Sequence, residues 1–214
     1  MAADEHSLKT VDPIEWYDAN ADETVALYES FSAAEVHAWL LDVLPKRADL
    51  VLEVGAGSGR DAAWLASLGH QVVAVEPSDR MRAHAQRLHG DVDIRWIKDR
   101  LPGLENVFRL GLSFDFILLN AVWMHVSPID RQCAFRKIIT LLKPGGCVAL
   151  TFRSPDPSRG MFPASTEEIE QLARGHGAFV ERSLTETDRL ARPGVQWNRF
   201  IIRLPDDGAC SRSV

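Results

Sequence analysis

Alternating glycines occupy the segment Glu53-Val54-Gly55-Ala56-Gly57-Ser58-Gly59-Arg60-Asp61. Glycines at alternate positions allow a tight turn from a strand into a helix, and they let a ligand touch the backbone. The N–H groups at the start of the following helix favour an anion, and the guanidinium of Arg60 can pair with a ligand carboxylate. The segment therefore predicts a loop that binds a small molecule.

Two carboxylates follow at the ends of the next two predicted strands. Glu76 can accept hydrogen bonds from both hydroxyls of a ribose, and Asp99 can accept one from an exocyclic amine. The phosphate-binding Walker pattern is missing because no Lys-Ser/Thr pair follows the glycines. The nucleophile elbow G-x-S-x-G is missing because Ala56 and Arg60 flank Ser58 at the two glycine positions. The acids and glycines together predict a pocket for an adenosine without phosphates.

Strands and helices alternate around these residues. A serine followed three residues later by glutamate predicts capped helix starts at Ser32 and Ser165, and Ser78 predicts another cap. Helices are expected from Ser32 to Leu44, over 61–68, after Ser78, over 131–142 and after Ser165. Strands are expected over 50–54, 71–76, 92–97, 114–119, 147–152, 179–184 and 197–204.

This alternation predicts an α/β fold. Repeated βα units give a parallel sheet with helices on both faces, because the crossovers are right-handed. The last two strands have no helix between them and predict a hairpin. The expected fold is Rossmann-like and doubly wound, with a mainly parallel seven-stranded sheet and an antiparallel last strand. Ligands bind such sheets outside the carboxyl ends of the strands.

In these motifs the chain resembles the class I S-adenosylmethionine-dependent methyltransferases. The resemblance rests on Val51 to Asp61, Glu76, Asp99, Phe114-Asp115-Phe116-Ile117-Leu118-Leu119-Asn120 and Leu142-Lys143-Pro144-Gly145-Gly146, and it covers roughly residues 30 to 204. It implies S-adenosylmethionine as the cofactor, with Glu53 below its methionine moiety, Arg60 on its carboxylate, Glu76 on its ribose and Asp99 near its adenine. The implied cofactor-binding residues are Glu53, Gly55, Ala56, Gly57, Gly59, Arg60, Glu76, Pro77, Asp99, Arg100 and Asn120.

The segment that follows the fourth predicted strand lies where the methyl group would be transferred. Asn120 is expected near that methyl group. His125 has the side chain of a general base near neutral pH, and a hydrogen-bonded structural histidine is the alternative. Trp123 either lines the substrate pocket or fills the core.

Two more segments are candidates for the acceptor site. Residues 1–30 resemble the lid that many family members fold over the cofactor, with Tyr17 or Tyr28 near its carboxylate; a helix packed on the sheet edge is the alternative. Arg153 and Arg159 follow the fifth strand and can attract an anionic acceptor. The expected substrate residues are Tyr17, Trp123, His125 and Arg153, and no metal-ligand spacing is found.

The amino-acid composition indicates which classes of partner and which compartment to expect. The chain has 214 residues, with 24 Lys and Arg, 30 Asp and Glu, and a net charge of −6. This acidity argues against nucleic acid, as does the missing N-P-P-Tyr/Phe box of methyltransferases that act on DNA and glutamine. No apolar run approaches the ~20 residues of a membrane helix. Three cysteines without zinc spacing fit a reducing cytosol, so a cytoplasmic enzyme with a small-molecule acceptor is expected.

The predicted function is S-adenosylmethionine-dependent methyl transfer by a domain over 31–204, preceded by residues 1–30 and followed by a frayed tail over 205–214. A catalytically idle regulatory or scaffold protein with the same pocket is the main alternative. A nicotinamide-dependent oxidoreductase would have glycine where Arg60 stands. An aminopropyl transferase would carry extra acids where the chain has Asn120-Ala121-Val122-Trp123. The sequence leaves the oligomeric state open.

Overall fold

The computed structural model describes residues 11–46 and 48–206. In this part of the chain a seven-stranded sheet has the strand order β3-β2-β1-β4-β5-β7-β6. The strands are β1 (Leu50–Val54), β2 (Gln71–Val75), β3 (Ile94–Ile97), β4 (Phe114–Leu119), β5 (Leu142–Arg153), β6 (Phe179–Thr187) and β7 (Gln196–Arg203). Strand β7 is antiparallel to both of its neighbours, and the other neighbouring pairs are parallel. The predicted fold class and the reversed last strand are confirmed.

Helices cover both faces of the sheet. They are α1 (Pro13–Ala19), α2 (Ala21–Glu29), α3 (Ala33–Val36), α4 (Arg60–Ser67), α5 (Asp79–Leu88), α6 (Glu105–Phe108), α7 (Arg131–Leu141) and α8 (Thr166–Gly175), with short 3-10 turns at Ala38–Leu40, Trp123–His125, Pro128–Asp130 and Pro157–Arg159. One core cluster joins the sheet to α6, α7 and α8, and it includes Phe135 and Leu172. The other joins the opposite face to α4 and includes Leu40 and Leu65. This arrangement leaves the carboxyl ends of the parallel strands open.

The segment after Ser32 differs from the single helix predicted as far as Leu44. Helix α3 ends at Val36, and the side chain of Ser32 makes no capping hydrogen bond. The chain leaves the helical path at His37, whose ring is fully buried with Nε2 2.9 Å from a carboxylate oxygen of Asp61. A tertiary contact therefore overrides the apolar periodicity of this segment.

Strand β5 begins at Leu142, five residues earlier than the predicted start at Cys147. Leu142 pairs with Phe114 and Cys147 pairs with Phe116, so the glycine-rich residues between them form an irregularity in the ladder. Strand β3 begins at Ile94, because the N–H of Val92 closes a turn on the carbonyl of His89. The caps predicted at Ser78 and Ser165 are confirmed, since their hydroxyls accept from the N–H groups of Met81 and Glu168 at 3.1 and 3.2 Å.

Helices α1 and α2 lie against α5. The hydroxyl of Ser78 donates to Asp18 at 2.5 Å, and Ala21 and Val25 pack on Met81. The predictions for residues 1–10, for Cys210 and for the tail from 207 onward lie outside the described residues. Among the helices that the structure describes, none combines the length and the apolar character needed to span a bilayer.

Candidate functional site

A cavity of about 590 Å³ lies at the carboxyl ends of strands β1 to β5. Its volume is typical of small-molecule sites. Helices α1 and α2 and the turn between β6 and β7 complete its wall. The structure brings these predicted site residues together on its lining: Tyr17, Glu53, Gly55, Ala56, Gly57, Arg60, Glu76, Pro77, Asp99, Arg100, Asn120, His125 and Arg153.

The glycine loop has the backbone geometry that its sequence predicts. The N–H groups of Gly55 and Ala56 donate to the carbonyl of Val75 at 2.8 and 2.9 Å, which holds the loop against β2. Gly55 has a φ of +75°, and a Cβ there would lie 2.5 Å from Cγ2 of Val122. Position 55 therefore requires glycine for both its conformation and the available space.

Gly59, expected among the cofactor-binding residues, is not one of the residues that line the cavity. It is the N-cap of α4 with a φ of +85°. A Cβ there would lie 2.9 Å from the ring of Trp96 and 3.0 Å from both Ala85 and His89. The glycine at this position lets α4 approach α5 and β3, so its role is packing.

Glu76 directs its carboxylate into the turn of the glycine loop. Oε2 accepts from the N–H of Gly57 and Oε1 from the N–H of Ser78, both at 2.8 Å. Burial raises the pKa of Glu76 to about 7, although these two hydrogen bonds act to lower it. The carboxylate is therefore held in place at the cavity wall and titrates near neutral pH.

Glu53 is a buried acid without a full set of partners. Its Oε2 atom is inaccessible to solvent and has no hydrogen-bond partner in the described part of the chain. Burial raises the pKa of Glu53 well above its usual range, and the nearby Asp61 raises it further. A buried acceptor of this kind is costly unless a ligand supplies a donor.

Asp61 was not among the predicted site residues, yet it is the centre of a buried polar network on the cavity wall. It accepts from Arg60 Nε at 2.7 Å and from Asn120 Nδ2 at 2.8 Å, and His37 Nε2 lies 2.9 Å away. Burial acts to raise the pKa of Asp61, but His37 and Arg60 outweigh it and hold this pKa well below its usual range. In the sequence, only the adjacency of Arg60 and Asp61 could have indicated this role. The contacts of Asp61 with His37 and Asn120 form only when the chain folds, so nothing in the sequence indicated them.

Asp99 lines the cavity, but its carboxylate is already engaged with the backbone. It accepts from the N–H groups of Arg100, Asn106 and Val107 at 2.9, 2.6 and 3.1 Å. Two of these donors belong to the first turn of α6, so Asp99 orders the segment that follows β3.

Trp123 lies in the core, which is the second of the two positions that the sequence left open for it. Its ring is fully buried, packs edge-on against Phe135 at 6.0 Å and lies under the guanidinium of Arg131. It does not line the cavity, whereas its neighbours Met124 and His125 do. The 3-10 turn over Trp123–His125 sends successive side chains in different directions, so one faces the core and the next two face the cavity.

His125 lies beside two tyrosines from the N-terminal helices. Its Nε2 is 3.3 Å from the hydroxyl of Tyr17, which is 3.4 Å from the hydroxyl of Tyr28. Burial lowers the pKa of His125 to about 4, and Arg153 and Arg159 lower it further. Burial raises the pKa of Tyr17 well above its usual range. At neutral pH the imidazole is uncharged and the phenol keeps its proton.

The turn between β6 and β7 and the start of β7 contribute residues that were not predicted from the sequence. Asp188 accepts from Trp197 Nε1 at 2.9 Å and from both ends of the Arg192 guanidinium, and all three residues line the cavity. No motif indicated them, because a hairpin turn of ordinary composition gives no sign of which cavity it faces.

Comparisons with known proteins agree with this architecture. The family described as "Methyltransferase domain" matches residues 51–146. An uncharacterized methyltransferase of Mycobacterium tuberculosis is 31% identical over 125 residues, which are 58% of this chain and 61% of the relative. The 27-O-demethylrifamycin SV methyltransferase of Amycolatopsis mediterranei is 28% identical over 167 residues, covering 74% of this chain and 58% of the relative. The chain thus spans about three fifths of the length of these curated relatives.

Among solved structures, the 1,6-didemethyltoxoflavin-N1-methyltransferase of Burkholderia thailandensis, with bound 1,6-didemethyltoxoflavin and S-adenosylhomocysteine, has a TM-score of 0.70 and 21% sequence identity. The match covers 90% of this chain and 87% of that one. At this identity the likeness concerns the fold, which is the seven-stranded sheet derived above. Residues 51–146, which contain the glycine loop and Glu76, therefore resemble a methyltransferase domain, and the described chain has a fold similar to that of the solved methyltransferase.

Proposed function

We propose that the chain transfers a methyl group from S-adenosylmethionine to a small-molecule acceptor. The observation that carries this proposal is the buried Oε2 of Glu53, which has no donor among the residues described and lies on the wall of the glycine-loop cavity. The ammonium group of a methionine moiety would supply such a donor, and its positive charge would favour the ionised form of Glu53.

Residues around Glu53 match the remaining parts of the cofactor. The carboxylate of Glu76 can accept from the ribose hydroxyls, and Arg60 can pair with the cofactor carboxylate. Arg60 is oriented for this task by Asp61 and by a hydrogen bond to the carbonyl of Tyr28 at 3.0 Å. Pro77 and Arg100 stand at the adenosine end, where the ordered segment after Asp99 forms the wall.

S-adenosylmethionine supplies a methyl group on a sulfonium: the acceptor lone pair bonds to the methyl carbon while the carbon–sulfur electron pair stays on sulfur. The chain's own residues have to align the acceptor, exclude water and receive a proton when the acceptor carries one. The neutral imidazole of His125 is the group placed for that proton. Tyr17 orients the ring, and helices α1 and α2 shield this end of the cavity as a lid.

A small-molecule acceptor is supported by the size of the cavity and by the relatives named above, whose names specify rifamycin and toxoflavin precursors. The first experiment is calorimetric titration with S-adenosylhomocysteine, followed by an assay for its formation over a panel of small acceptors. We expect a dissociation constant of about 1 μM, which corresponds to about −8 kcal/mol. Absence of binding would contradict the proposal, and binding without turnover of any acceptor would favour the idle alternative.

Replacing His125 by alanine tests its role in the transfer step. We expect kcat to fall by about 100-fold, because general bases contribute at least this much, while affinity for S-adenosylhomocysteine changes by less than about threefold. Since the pKa of His125 is about 4 in the free protein, the kcat/KM of the wild type should show no His125 titration between pH 6 and 8. His84→Ala, a histidine of α5 that does not line the cavity, is the control. An unchanged kcat would remove His125 from the mechanism.

A further inference from the structure

Arg153, the last residue of β5, carries a buried and poorly paired guanidinium on the cavity wall. Its side chain is 7% exposed, and its nearest carboxylate oxygen, on Asp156, is 4.0 Å away. Its hydrogen bonding within the described residues consists of one contact of 3.3 Å to the carbonyl of Ser154. A guanidinium has five N–H donors, so most of this group's capacity is unused. We infer that the methyl acceptor carries a carboxylate, and that Arg153 binds this carboxylate; the inference rests on the proposed function.

A second guanidinium strengthens the positive charge around Arg153. Arg159 lies on the same cavity wall, 3.2 Å from Asp156 and stacked over the ring of Trp16 at 4.5 Å. Asp156 is therefore the one acid that both arginines share. The pair retains one surplus positive charge, which a monoanionic carboxylate would neutralise through a bidentate contact.

The neighbouring ion pair does not remove this surplus. Arg192 faces the same end of the cavity, but Asp188 engages it at two positions, 2.8 and 2.7 Å. The titratable and charged groups that face Arg153 include Arg192, Arg159, Asp156, Tyr17 and His125, whose imidazole is uncharged at neutral pH. Tyr17 retains its proton, so no free acid of the described residues competes for Arg153.

Apolar side chains also line this end of the cavity. Met124, Met161 and Phe162 line it beside His125. A carboxylate on Arg153 would therefore place an apolar body of the acceptor between these side chains and bring its nucleophile toward His125. The acceptor class that fits is a small organic acid with an apolar or aromatic body.

The two ends of the cavity also differ in charge. The cofactor end presents the acids Glu53, Asp61 and Glu76 with Arg60 among them, whereas the acceptor end presents Arg153 and Arg159 with Asp156 shared between them. S-adenosylmethionine carries a sulfonium and an ammonium, so an acidic wall suits it. An anionic acceptor then approaches a positively charged methyl donor, and the two ligands attract each other inside a site of low dielectric. This arrangement favours ordered binding of the acceptor onto the loaded enzyme.

The test compares an acid with its neutral isostere on protein saturated with S-adenosylhomocysteine. Benzoate and benzamide are titrated calorimetrically into the wild-type protein, Arg153→Gln and Arg174→Gln. We expect benzoate to bind the wild type at least tenfold more tightly than benzamide, and Arg153→Gln to remove this difference. Arg174, which is 66% exposed on α8 and does not line the cavity, supplies the matched control and should leave both affinities unchanged.

Three results would overturn the inference: equal affinity of the wild type for the two compounds, no benzoate binding at all, or unchanged benzoate affinity in Arg153→Gln. Affinity for S-adenosylhomocysteine reports separately on the proposed function, since failure of the wild type to bind it would overturn that function and this inference with it. Binding of S-adenosylhomocysteine by Arg153→Gln shows that the variant is folded. If Arg153→Gln fails to fold, Arg159→Gln is tested in its place. We expect Arg159→Gln to weaken benzoate binding at least threefold, and an unchanged affinity would contradict the inference.

Discussion

Replacing Glu76 by alanine is expected to weaken binding of S-adenosylhomocysteine by about 100-fold, or about 3 kcal/mol, because hydrogen bonds to a charged acceptor are worth about 1.5–3 kcal/mol each. The variant loses the acceptor for the ribose hydroxyls. It also leaves the N–H groups of Gly57 and Ser78 without the partners they have at 2.8 Å, so the glycine loop loses its anchor. Calorimetric titration of purified protein measures the change.

Asp79→Ala is the matched control for Glu76. It removes a carboxylate three residues along the chain, at the exposed start of α5 and outside the cavity lining. At a pH above about 8, where both carboxylates are ionised, the two variants change the net charge equally, so a general electrostatic effect would weaken binding in both. We expect the control to bind like the wild type. Comparable affinities of Glu76→Ala and the wild type would contradict both the position and the role assigned to Glu76.

The pKa of Glu76, raised to about 7 by burial, adds a dependence on pH. The ribose requires the ionised carboxylate, so affinity for S-adenosylhomocysteine should rise with pH up to about 7, by about tenfold per unit below it. The free energy of unfolding depends on pH in the opposite direction. An acid whose pKa is raised in the folded state stabilises that state fully below its unfolded pKa. For Glu76 this contribution is lost as the pH rises through about 7. Both dependences should disappear in Glu76→Gln.

Sequence patterns predicted the strands well because buried parallel strands are short, apolar and bounded by turn residues. Strands β1, β2 and β4 match their predicted positions to within a residue, and the missing helix between the last two strands correctly predicted a hairpin. The glycine loop and Glu76 were predictable for the same reason, since alternating glycines and an acid at a strand end have a local structural meaning.

Features that depend on tertiary contacts were not predictable. Apolar spacing after Ser32 suggested one helix, but burial of His37 against Asp61 ends α3 at Val36. Gly59 belongs to the glycine pattern, yet it faces α5. Trp123 belongs to the segment after β4, yet its ring enters the core. In each case the residue type was informative, and the direction of the side chain was decided by packing.

Replacing Asp61 by alanine is expected to lower the free energy of unfolding by about 3–5 kcal/mol. Removing one partner of a buried charged network leaves the other buried groups without a hydrogen-bonding or ionic partner. Arg60, Asn120 and His37 each lose a contact of 2.7–2.9 Å. The low pKa of Asp61 gives a second signature: its stabilising effect is present above the unfolded pKa and is lost as acid protonates the folded state. Urea denaturation at pH 7 measures the first effect, and a series from about pH 5 down to about pH 2 measures the second, because the loss lies below the unfolded pKa.

Glu170→Ala is the matched control for this prediction, since it removes an acid from a surface pair on α8, 3.7 Å from Arg174. Such pairs contribute only about 0.2–0.5 kcal/mol. Asp61→Asn separates charge from shape: the amide keeps one acceptor oxygen, so its loss of stability should fall between those of the other two variants. If Asp61→Ala lost no more stability than Glu170→Ala, Arg60 and His37 would have found other partners. The network would then not hold Arg60 toward the cofactor, and affinity for S-adenosylhomocysteine would be unchanged in the same variant.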